Sequence, residues 1–297
     1  MVEYNPKDWF SFLFRFHKAD TFRKLMPIMA SLAVYGFLIV YFFHDIFHFD
    51  DLPQWDNFSI VYSILGFVIS LLFVFRTNTA YDRWWEGRKQ WGSLVNVSRS
   101  LAQKLKSAGI SAEDEADFAA LIPNFAVSLK NHLRGFHYPE EMEDAAIFPV
   151  SSIQQEFHVP NQVAAAMSKR INELYSAGKI SDMQFLSMQT ELNAFYDILG
   201  ACERIKNTPI PFSYSSFLKK FIFFYTMFFP FVFLKPMGYF LLPALIFVFY
   251  VLASLELIAE EIEDPFGTDA NDLPLDSISA NIKRSVPEIL IKMNVNR

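Results

Sequence analysis

The 297-residue sequence is poor in three things, and each shortage removes a class of function. It holds one cysteine, Cys202, so neither an internal disulfide nor a paired-cysteine metal site can form within one chain. Its net charge of −6 denies it the basic footprint that nucleic acid requires. No glycine-rich phosphate loop, nucleophile triad or cofactor fingerprint occurs. The third shortage is positional: between Lys24 and Arg76 run 51 residues without a Lys or Arg. Lys18, Arg23 and Lys24 crowd one edge of that gap, and Arg76, Arg83, Arg88 and Lys89 the other.

The gap contains two uncharged apolar stretches, Leu25–Phe43 and Asn57–Phe75, each of 19 residues. A helix of that length rises about 28 Å, the thickness of a bilayer's hydrocarbon core. Basic flanks on both outer sides predict a hairpin with both ends in the cytoplasm. A second hairpin is expected after Lys219 and Lys220, with spans Phe217–Lys235 and Pro236–Leu255 and a tight turn at Lys235-Pro236-Met237-Gly238. Pro230 and Pro243 interrupt these spans, which neighbouring helices can accommodate. The 34 Phe suit a lipid-facing wall. The expected topology is four spans in the inner (cell) membrane with both termini cytoplasmic. Residues 1–24, rich in Trp and Phe among basic residues, read either as an amphipathic segment on the membrane surface, anchored by Trp9, or as a soluble helix packed on the rest.

Residues 77–216 form a polar insert long enough for a helical domain of its own. Ser111-Ala112-Glu113-Asp114 predicts a helix start, with an end near Gly135. After Pro160-Asn161 a stripe of Val163, Met167, Ile171 and Leu174 predicts a second helix, stopped before Gly178. Ser181-x-x-Gln184 opens a third, whose Phe185, Met188, Leu192, Phe195, Leu199 and Cys202 alternate three and four apart, a seam for another helix. Asn207-Thr208-Pro209 closes it. No period-two run predicts strands, so the fold class is all-α: four membrane helices, a helical cytosolic body, and a C-terminal segment 259–297. The last span is expected to continue into the cytoplasm, because Leu255, Ile258, Ala259 and Ile262 keep helical spacing among acids. Arg76, Arg83, Trp84 and Trp85 at the inner end of the second span read as headgroup anchors that close a subunit junction.

Two segments carry a resemblance. Leu65-Gly66-Phe67 is followed by Arg76-Thr-Asn-Thr-Ala-Tyr-Asp-Arg-Trp-Trp-Glu-Gly-Arg-Lys-Gln-Trp91, and Ile262-Glu-Asp-Pro-Phe-Gly-Thr-Asp-Ala-Asn-Asp272 follows the last span. Together they resemble the bestrophins, particularly the bacterial branch, over nearly the whole chain. The resemblance implies a homopentameric ion channel, not an enzyme, with one pore on the five-fold axis. It implies a neck on the second span at Ser59, Ser63 and Phe67; an error in register would bring Ile60 and Ile64 there instead. The family usually has bulky apolar residues at all three positions, so the two serines are a departure. They would give a wetter neck with Phe67 as the main constriction, unless they bond backbone carbonyls in a packed bundle. A cytosolic aperture is implied at Met183, with Asp182 and Gln184 as neighbours that could take its place.

The acidic signature places Asp264, Asp269 and Asp272 where animal relatives bind calcium. Here Asp264 replaces an amide, and Ala270 and Asn271 thin the acidic run. A capped turn fixed by Pro265 and Gly267 is the favoured reading, with no cofactor and no tight calcium gating expected. The outer connector carries Asp45, Asp50, Asp51 and Asp56 and no basic residue. Repeated around a pentamer these carboxylates would favour cations, although Lys235 opposes them, and an anion-selective bestrophin is the alternative. Two readings come from other classes. His44-x3-His48 and His132-x4-His137 resemble the histidine boxes of di-iron membrane enzymes, but six His without a His-His pair are too few, and the two pairs lie at opposite membrane surfaces. A non-conducting scaffold would use Ser59, Ser63, Gly66 and Ser70 for close helix packing.

Overall fold

The computed structural model describes residues 21–47, 58–136 and 139–292. These are helical apart from turns and an isolated bridge between Ala145 and Phe148. Trp9, His48, Asp50, Asp51, Asp56 and His137 lie outside the described residues.

In chain order the helices are α1 (Thr21–Val40), α2 (Phe58–Ala108), α3 (Ala112–Arg134), α4 (Val159–Ser176), α5 (Asp182–Asn207), α6 (Phe212–Met237), α7 (Leu241–Glu263) and α8 (Leu275–Pro287). A π-type turn, Tyr41–Ile46, extends α1. The helix α2 has 51 residues, about 76 Å. The chain divides into two compact units, and α2 contributes to both: residues up to Trp84 belong to the first and Trp85 onward to the second.

The first unit contains α1, the first half of α2, α6 and α7. Helices long and apolar enough to cross a membrane lie at Thr21–Ile46, within Phe58–Ala108 and within Phe212–Glu263. The last stretch is α6 and α7, which pack on each other across a short 3-10 turn, Gly238–Phe240. The reversal therefore comes later than the turn expected at Lys235–Gly238. Gly238 adopts φ +49°, a conformation costly for any residue with a Cβ, and this places the bend beyond Met237. Leu25, Leu32, Ile69, Phe73, Ile222 and Phe249 form one apolar core, and Val40, Tyr62, Phe229 and Leu241 belong to another. Gly36 lets α1 approach α7: a Cβ there would stand 2.9 Å from a Leu245 methyl.

The second unit contains the rest of α2 with α3, α4, α5 and α8. Its helices start and stop on local signals. The Ser111 hydroxyl accepts from Asp114 N at the start of α3, and Gly135 ends that helix at φ +70°. Ser181 and Gln184 form a complete capping box on α5. The stripe Val163, Met167, Ile171 and Leu174 on α4 is buried, as are Met188, Leu192, Phe195, Leu199 and Cys202 on α5. The helix α8, inside the segment 259–297, buries Leu275, Ser279, Ile282 and Val286 and packs on α3. Of the positions expected to continue the last span's seam, Ala259 is buried while Leu255 and Ile258 are exposed.

Candidate functional site

The membrane half of α2 has two faces. Tyr62, Ile69, Phe73 and Arg76, spaced seven, four and three apart, are buried. At 3.6 residues per turn, Ser59, Ser63, Phe67 and Ser70 fall on one flank turned away from that face. Ser63 and Ser70 are exposed and Ser59 is half-buried, while Phe67 is 70% exposed. The Ser63 hydroxyl donates to Ser59 O at 2.7 Å and Ser70 to Gly66 O at 2.8 Å. Their protons are thus engaged by the helix backbone, and each oxygen keeps lone pairs facing outward. Ile60 and Ile64, the alternatives in register, are exposed on the adjoining side.

Behind the flank, Tyr62 stacks on Tyr225 of α6, with ring centroids 4.1 Å apart, and donates its hydroxyl to Tyr225 O. Gly66 is required by the same contact, since a Cβ there would lie 2.7 Å from the Tyr225 hydroxyl oxygen. The Leu65-Gly66-Phe67 triplet therefore carries a packing constraint in its middle residue. Next to it, Phe58, Tyr62, Leu65, Phe221, Phe224 and Phe228 line an apolar groove of ≈ 610 Å³.

The C-terminal end of this apolar stretch differs from the headgroup anchor expected at Arg76. Arg76 is 1% exposed. Its Nη1 lies 2.7 Å from Glu263 Oε2 and its Nε 3.5 Å from Glu256 Oε2. A guanidinium so close to two carboxylates loses more by moving to the headgroups than it gains. Arg83 Nε donates to Glu263 O at 3.0 Å and Trp84 Nε1 to Asn271 O at 3.0 Å. Of the four residues only Trp85 is exposed.

The remaining predicted site residues are dispersed. Met183, inside the Ser181–Gln184 capping box of α5, is 76% exposed. Asp45 is exposed and accepts a hydrogen bond from the Tyr239 hydroxyl. Asp264 caps the C-terminus of α7 and is exposed, as is Asp269. Asp272 is 2% exposed, within the second unit. Among the described residues, ligand atoms of three His, Cys, Asp or Glu side chains converge at one place, and it is formed by His132, His158 and Glu203. The spacing of His132 and His137 in sequence gave no sign of that grouping.

The sequence matches the family model described as bacterial/fungal bestrophin protein over residues 1–288. It is 39% identical over 240 residues, 78% of this chain and 76% of the relative, to the voltage-dependent anion channel-forming protein alr2987 of Nostoc sp.. The voltage-dependent anion channel-forming protein YneE of Escherichia coli is 34% identical over 220 residues, 73% of this chain and 72% of that protein. Among solved structures, a bacterial bestrophin homolog from Klebsiella pneumoniae superposes with a TM-score of 0.80 at 25% identity, covering 90% of this chain and 98% of that one. The chain belongs to the bestrophin family.

Proposed function

We propose that the protein is an ion channel of the cell membrane, in which five copies gather their α2 helices around a water-filled axis. The supporting observation is the outward flank of α2, where small hydroxyl residues interrupt an otherwise apolar exposed surface. Ser59, Ser63 and Phe67 form the neck, and Met183 the cytosolic aperture. A hydroxyl-lined neck wets more readily than an all-apolar one, so Phe67 supplies the main barrier. The bare apolar surface of α2 and α6 is covered by lipid and neighbouring copies. The basic flanks put both termini in the cytoplasm, with four spans per chain.

Anions are the proposed permeant ions, because the relatives are named as anion channel-forming proteins. The acidic outer connector, with Asp45, Asp50, Asp51 and Asp56, leans the other way by composition, although Tyr239 donates a hydrogen bond to one of these carboxylates, Asp45. A second reading, cation passage, has one specific observation in its favour. The Ser63 and Ser70 hydroxyls donate inward and present acceptor oxygens, and an anion would have to reorient them. Planar bilayer recording under a KCl gradient separates the two. A reversal potential near the chloride equilibrium value supports the anion channel, a value near that of potassium supports the cation reading, and electrical silence of the reconstituted oligomer refutes both.

A further inference from the structure

The second unit contains a group of side chains that conduction does not use. His132 lies in the last turn of α3, His158 is the N-cap of α4, and Glu203 lies near the end of α5. The chain separates His132 from Glu203 by 71 residues and His158 from Glu203 by 45. Yet both Nε2 atoms approach the same carboxylate oxygen, Glu203 Oε1, at 2.8 Å for His132 and 2.6 Å for His158. The two imidazole centroids are 4.2 Å apart. Each of the three side chains is partly open to solvent, so an ion can reach them. His132 also lines a pocket of ≈ 50 Å³ with Ser128, Asn131 and Phe157, enough room for a few water molecules.

We propose that His132, His158 and Glu203 bind a first-row divalent transition ion of the zinc type, with water from the adjoining pocket completing the coordination. Two imidazoles and one carboxylate select such an ion over calcium or magnesium, which take oxygen ligands. Three protein ligands with one open position are a familiar zinc arrangement. Ligand atoms around a tetrahedral ion about 2.05 Å away stand about 3.3 Å from one another. The contacts of His132 and His158 to Glu203 must therefore open from 2.8 and 2.6 Å by about 0.5 and about 0.7 Å, within reach of side-chain rotation. A cation here also sits at the C-terminal ends of α3 and α5, where the helix dipoles favour positive charge, against the opposing dipole at the N-terminus of α4.

Binding carries a local consequence. His158 Nδ1 accepts from Asn161 N at 3.3 Å as the cap of α4. A neutral imidazole that gives its Nε2 lone pair to a metal carries its proton on Nδ1, so metal capture releases that cap bond. Loading and unloading would thus be felt at the first turn of α4.

The test uses tag-free, full-length protein, stripped with chelator and titrated with Co²⁺. The expected result is one ion per chain with the visible absorption of a tetrahedral cobalt centre, displaced by Zn²⁺. Glu203→Gln should weaken binding by about 100-fold or more, since even groups that only support a ligand account for about 10- to 100-fold. His158→Asn should do the same while retaining a residue that caps α4 well. Helical circular dichroism of both metal-free variants should match the parent, separating ligand loss from misfolding. Absence of uptake, an octahedral spectrum, or equal uptake by folded variants would overturn the site. None of these readouts depends on whether the protein conducts.

Discussion

Removing the Arg76 guanidinium should destabilise the first unit by several kcal/mol. Arg76 is 1% exposed and Glu256 3%, so Arg76→Met leaves a carboxylate buried without its counter-charge. At an effective dielectric of about 20, charges 3.5 Å apart attract by about 4.7 kcal/mol. Breaking a buried ion pair by deleting one partner typically costs about 3–5 kcal/mol. Glu263 adds less, because it is partly exposed and also accepts from Ile210 N at 2.7 Å. For a chain of this size a loss of about 3 kcal/mol corresponds to a fall in Tm of roughly 6–12 °C. Thermal unfolding of the purified protein, followed by tryptophan fluorescence, measures it. The double variant Arg76→Met/Glu256→Gln should recover at least half of the loss, because the uncompensated charge, not the missing stem, is the main cost. If Arg76→Met melts within about 2 °C of the parent, or if the double variant is no more stable than the single, the reasoning fails.

Other outcomes follow from the same structure. Phe67→Ala should raise single-channel conductance, and Ser63→Val should lower it by restoring an apolar ring; bilayer recordings showing no change in either would remove the neck from this face of α2. Gly36→Ala puts a methyl 2.9 Å from Leu245 Cδ2 and should cost about 1–3 kcal/mol of thermal stability, a loss that Leu245→Ala in the same chain should partly relieve. In the second unit burial pushes the Asp114 carboxyl up, but hydrogen bonds from Ser111 and Arg170 outweigh it and hold it below the usual carboxylate range. Its stabilising contribution is therefore complete above the unfolded value of about 3.9 and is lost as pH falls through the folded value. Asp114→Asn should flatten the loss of stability on acidification below about pH 4, as measured by denaturant melts at stepped pH.

Features that depend on a few neighbouring residues were legible in the sequence. The Ser181–Gln184 box and the Val163-to-Leu174 stripe name their partners within one or two turns, so the ends and buried faces of α4 and α5 could be read directly. The apolar spans were legible because length and charge at their edges suffice. Long-range pairings were not. Arg76 looked like a membrane-surface cation because sequence gives no depth, although the acids at 256 and 263, at the polar end of another apolar stretch, were an available hint. His132, His158 and Glu203 come from three helices, and neither histidine's local spacing points to the other. Met183 and Phe67 can be assigned to helices and faces, but no neighbouring residue in the sequence encodes what those faces meet.

The tyrosine pair behind Phe67 limits how a gate at this position could move. Sliding α2 by one turn, about 5.4 Å, would unstack Tyr62 from Tyr225 and carry Gly66 away from the Tyr225 hydroxyl that packs against it. If Phe67 forms the proposed constriction, dilating it would take α6 along with α2, as a two-helix stave leaning outward rather than a lone helix rotating in place.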